Sequence, residues 1–207
     1  MMIHRFTRHS LFLLILGASL GLTGCLYDYA PSGPVRGIDT WLLGQWATHD
    51  KEGHQFTATV IPAQSNQGEH SSDHYSVTFQ RQGDETLSFE GWISRVDNFS
   101  ILVLRSLDAG ETYGKFALYH YEILSRSPAL PGGIGDRRIR LSELQLDEST
   151  RTLDSYNLRV AIRKALKSGT LLVPYDVVAT LKGAKSEVPG SVIWTKTGSV
   201  TIHGETF

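Results

Sequence analysis

Apolar and polar residues alternate with a period of two through much of the chain after Trp41. Phe56, Ala58 and Val60 alternate with Thr57, Thr59 and Ile61. Tyr75, Val77 and Phe79 alternate with Ser76, Thr78 and Gln80, and Leu87, Phe89, Gly91 and Ile93 with Ser88, Glu90, Trp92 and Ser94. Successive side chains of a strand point to opposite faces, so this period predicts half-buried strands. Strand-like runs follow at Phe99 to Leu104, Phe116 to Leu124 and Ile139 to Leu146. Turn clusters separate the runs: Gln67-Gly68, Gln82-Gly83-Asp84, Asp97-Asn98, Asp108-Ala109-Gly110 and the longer Pro128 to Asp136. Consecutive strands joined by short turns pair as neighbours. The expected fold is mainly β, an antiparallel meander forming a barrel or a strongly curved sheet.

One segment changes period. Leu158, Ala161, Ile162, Ala165 and Leu166 fall on a single helical stripe. Asp154 or Ser155 can cap its start and Gly169 follows its end, which predicts one amphipathic helix over about 155–167. Arg159, Arg163, Lys164 and Lys167 lie off the stripe, on a solvated face or one that meets an acidic partner or anionic headgroups. Leu171 to Leu181 is strand-like but interrupted by Pro174. Val192 to Trp194 and Ser199 to His203 flank Thr195-Lys196-Thr197-Gly198, which predicts a closing hairpin.

The start of the chain has a different character. Arg5 and Arg8 precede the apolar run Leu11 to Leu22. A helix needs about 20 apolar residues to span a bilayer, and this run is shorter. A charged start, a short apolar core and small residues at a cut site have the order of a secretory signal. The residues Leu22-Thr23-Gly24-Cys25 resemble the lipobox of bacterial lipoproteins. That resemblance implies cleavage before Cys25, a diacylglyceryl group on its sulfur and an acyl chain on its new amine. The plainer reading is an ordinary secretory signal with Cys25 a free thiol. Leu26, rather than Asp, follows the cysteine, which resembles the pattern sorted to the outer membrane and implies its periplasmic face. Residues 26–40 hold two prolines and two glycines without periodicity and read as a flexible tether, with Tyr27 and Tyr29 either among headgroups or merely along it. The expected division is a signal peptide at 1–24, a lipid-anchored tether at 25–40 and one β-rich domain at 41–207.

Removing residues 1–24 leaves 183 of the 207 residues, with 18 basic and 21 acidic side chains and a formal charge of −3. That length suffices for a sizeable core. No net basic field is present to draw nucleic acid. Cys25 is the only cysteine, so packing and hydrogen bonds must hold the fold without an internal disulfide.

Candidate chemistry is sparse. Glu69, His70, Asp73 and His74 crowd one stretch, and His49, Asp50 and His54 another. Zinc wants three or four fixed ligands. Ser71, Ser72 and Gly68 mark the first stretch as a solvated hairpin loop, so neither a metal nor a cofactor is expected. His120, between Tyr119 and Tyr121, reads as a hydrogen-bonded sheet residue. No Gly-x-Ser-x-Gly elbow is present. Pro131-Gly132-Gly133-Ile134-Gly135-Asp136 lacks the Lys-Ser/Thr of a phosphate loop. Glu90 and Glu143 are acid/base candidates if they face a barrel interior, but nothing pairs them in sequence. A non-catalytic protein is expected.

Gly44-Gln45-Trp46 opens the first strand of a meander that has a helix near its end. This arrangement resembles the lipocalin or calycin barrels. The resemblance implies that Trp46 packs across the closed end of a barrel whose interior holds a small apolar or amphipathic molecule. The chain departs from that family at Thr112-Tyr113, where a Thr-Asp-Tyr loop motif would carry an Asp, and in having no second cysteine to pair. Trp46 is expected in the core. The other reading is an interaction protein whose outer surface docks an envelope complex. A roomy apolar cavity favours the first reading and a packed core the second.

Overall fold

A computed structural model describes residues 26–49, 55–64, 70–81, 86–126, 137–144, 146–171, 191–198, 201–202 and 205–206. Eight strands form a closed antiparallel barrel: β1 (Gly44–His49), β2 (Gln55–Gln64), β3 (His70–Arg81), β4 (Thr86–Val96), β5 (Phe99–Ser106), β6 (Phe116–Arg126), β7 (Arg137–Glu143) and β8 (Ser191–Gly198). Each pairs with the next in sequence, and β8 returns to pair with β1. The meander and the single α-helix expected from the hydrophobic pattern are both present. We call the end carrying the Asp97-Asn98 turn and the start of β1 the lower end. The upper end carries the 107–115 loop.

The alternation places Phe56, Tyr75, Val77, Phe79, Phe89 and Ile93 in one inner cluster with Trp46, Leu102, Leu104 and Tyr119. Eight strands enclose just enough room for side chains to fill the interior. Gly91 belongs to this inner face because a Cβ there would stand 3.1 Å from a Leu104 methyl. Strands β4 and β5 are buried on both faces, with Gly91 to Ser94 and Ile101 to Leu104 as unbroken buried runs. A second cluster outside the wall covers them, joining Trp92, Val96, Ile101, Val103 and Leu118 to Leu158 and Ile162.

Those last two residues come from α1 (Ser155–Ser168), which lies between β7 and β8 in sequence. Asp154 caps it by accepting from the Asn157 N–H at 2.9 Å, and Gly169, at φ +71°, closes its last turn. The basic face is not wholly solvated: Arg163 forks onto Asp97 with contacts of 2.9 to 3.2 Å.

Two expectations are corrected. Thr195 to Gly198 is not a turn. β8 runs straight through it, Lys196 is only 7% exposed, and a small hairpin forms later from β9 (Thr201–Ile202) and β10 (Glu205–Thr206). Residues 26–40, expected as a tether, lie along the barrel wall. Tyr27 is 1% exposed and exchanges backbone hydrogen bonds with Phe116 at 2.8 and 2.9 Å. Ser32 accepts from the Trp92 indole at 3.1 Å, and the Val35 N–H donates to the Ile93 carbonyl. A few well-placed apolar residues and backbone groups suffice to dock a proline-rich segment that has no period of its own. Pro174 and the rest of 172–190 lie outside the described residues, as does the 127–136 loop.

Candidate functional site

The docked segment ends in a plug. Asp39 to Leu43 form a tight turn before β1, with Leu42 N–H donating to the Asp39 carbonyl at 3.0 Å. Leu43 is fully buried and Leu42 nearly so, closing the lower end of the barrel. Trp46 stands above them, 2% exposed, and its indole N–H donates to the Leu42 carbonyl at 2.8 Å. Gly44 makes the bend between plug and strand at φ +128°, where only glycine is at ease, and a Cβ there would lie 2.5 Å from the Lys196 side chain.

Asp39 holds the plug by hydrogen bonds on three sides. Its backbone N–H donates to the Tyr75 hydroxyl at 2.5 Å. Its carboxylate accepts from the Tyr121 hydroxyl at 3.1 Å and from the Trp41 N–H at 3.0 Å. Burial first, then the nearby Asp39 charge, pushes the Tyr121 phenol up to about 12. Burial likewise raises Tyr75 well above the ordinary phenol range. Both hydroxyls therefore stay neutral and serve as fixed donors and acceptors.

Above the plug lies a cavity lined by apolar surface from Leu42, Trp46, Val60, Phe79, Leu104 and Ile139 among others. It offers about 30 Å³ to the centres of water-sized molecules. A dry apolar cavity of roughly 150 Å³ is what a benzene ring occupies.

Among the described residues, those singled out in the sequence do not assemble into a site. Ser71, Asp73 and His74 do meet on β3, but in a local arrangement. Asp73 Oδ1 lies 2.7 Å from His74 Nδ1 and accepts from the Ser71 hydroxyl at 2.9 Å. Ser71 approaches the same ring nitrogen, at 3.5 Å, so no histidine nitrogen stands between carboxylate and hydroxyl as a nucleophile relay requires. The hydrogen bond from His74, then that from Ser71, holds the Asp73 carboxyl below the usual range. Glu69, Asp50, His54 and the side chain of His70 lie outside the described residues, as does Cys25. Among the described residues, no group of three His, Cys, Asp or Glu comes together that could hold a metal ion. His120 stacks on Phe99 with ring centroids 4.6 Å apart, its Nδ1 3.3 Å from the Ser100 carbonyl.

Glu90 does not face the interior. It shares the outer face with Trp92 and pairs with Arg105 across β4 and β5 at 3.5 Å. Glu143 sits opposite Tyr119 in register, on the inner face of another part of the wall. The Asp39 latch escaped the sequence reading because its partners are 36 and 82 residues away, and Asp39 itself lay in a stretch without period. No family model, curated protein or solved structure matches this chain.

Proposed function

We propose that this protein is a non-catalytic lipoprotein of the cell envelope, anchored through Cys25, that engages an envelope partner through its outer surface. The observation that carries the choice is the small cavity above the latched plug: about 30 Å³ admits no lipid tail or cofactor. The lipobox resemblance at Leu22-Thr23-Gly24-Cys25 carries the anchor, and Leu26 after it supports an outer-membrane, periplasmic location. Metabolic labelling with a radioactive fatty acid tests the anchor. Label is expected on the natural chain and lost in Cys25→Ala; an unlabelled natural chain overturns it.

A second reading keeps the interior as the binding site. The wholly apolar lining supports it, as does Trp46 on the barrel floor, the place the lipocalin-like resemblance implies. It requires Leu42 and the plug to withdraw. Mass spectrometry of organic extracts from the purified protein separates the two readings. A stoichiometric apolar molecule that displaces the plug favours the second, and a ligand-free barrel the first.

A further inference from the structure

We infer that the upper end of the barrel rests directly on the membrane, with the headgroup layer of a zwitterionic leaflet as its partner. This rests on the proposed lipidation of Cys25 and says how the anchored domain is held. The docked segment leaves almost no slack. Cys25 is two residues before Tyr27, so their Cα atoms are at most about 8 Å apart. Tyr27 is fixed to Phe116 at the upper end of β6, and Asp28 is held there by an ion pair with Lys115 and by its N–H bond to the Arg151 carbonyl. Acyl chains on Cys25 therefore emerge beside the upper rim. The cavity above the plug is too small to take them.

Among the described residues, three exposed large apolar side chains lie toward that rim. Leu107 and Tyr113 belong to the upper loop, at 45% and 60% exposure. Tyr29 follows the segment paired with Phe116, at 50%. Two of the three are tyrosines, whose rings favour the boundary between headgroups and hydrocarbon. Asp108 and Glu111 beside them repel anionic lipid, which selects a zwitterionic surface.

The test uses the full acylated protein in vesicles of phosphatidylcholine and phosphatidylethanolamine. Acylation consumes the Cys25 thiol, so an environment-sensitive dye can be placed on Glu111→Cys at the upper end or on Asn98→Cys at the lower end. Iodide in the water should quench the upper dye several-fold less than the lower one. The combined change Tyr29→Ser and Tyr113→Ser should abolish that protection while the protein still floats with the vesicles. Equal quenching at the two positions in an acylated, vesicle-bound protein overturns the inference and leaves the anchor standing. Protection that survives the double change overturns the role of the tyrosines. An intact mass without acyl chains overturns the lipoprotein reading itself.

Discussion

At the scale of single residues, Trp46 and Tyr121 decide whether the lower end stays shut. Trp46→Ala removes the ring between plug and core and leaves the Leu42 carbonyl without its donor, a loss of about 3–5 kcal/mol. Urea unfolding measures it, and a loss under about 1 kcal/mol would mean that the ring contributes little packing. Tyr121 titrates near 12 in the fold against 10 for a free phenol. A raised pKa stabilises the fold below the free value, and that stability is lost as pH climbs from 10 toward 12. The plug should therefore loosen in that alkaline window, with phenolate absorbance and a change in Trp46 fluorescence rising together. In Tyr121→Phe, which has no phenol to ionise there, the fluorescence change in that window should be lost. Trp46 was readable as a core residue, but the Tyr121 bond was not, because a hydroxyl that meets a carboxylate 82 residues away leaves no local signature.

At the scale of elements, the strands and helix were legible where burial imposes one period over several residues. Phe56 to Val60 and Tyr75 to Phe79 alternate because one face meets the core. Leu158 to Leu166 repeat at helical spacing because one stripe meets the outer wall. β8 was misread because Thr195 to Gly198 has the composition of a turn, and the burial of Lys196 depends on its strand neighbours β1 and β7. The fork between Arg163 on α1 and Asp97 at the β4–β5 turn fastens the helix to the barrel. The hydrogen bond from Arg163 holds the Asp97 carboxyl below its ordinary range. A lowered carboxyl pKa means stability that is complete above the ordinary range and fades as pH falls through the lowered value. Carbon NMR titration should find Asp97 ionised at unusually low pH and returned to ordinary behaviour in Arg163→Gln. An unchanged titration would show that the fork does not form in solution. Asp154→Ala should destabilise α1 by about 0.5–2 kcal/mol through loss of its cap, measured by thermal unfolding.

At the scale of the whole molecule, protection is uneven. Gly91 to Ser94 and Ile101 to Leu104 are buried on both faces, under the core on one side and under α1 with the docked segment on the other. Their amides should exchange with solvent slowest of all. Among the described residues, the seam between β1 and β8 has three partnered positions and a shift in register, so its amides should exchange faster. Uniform exchange around the wall would show that the outer layer adds no stability. The seam also governs the order of assembly. It joins residues 45–47 to residues 195–198, almost the whole domain apart, and such distant pairings form slowly. Until β8 arrives, the half-built sheet has two open edges that another chain can extend. Once β8 docks, both edges vanish, so a mature partner must recognise side chains and loops, while a chaperone or a misfolded neighbour has its opportunity only before the last strand closes.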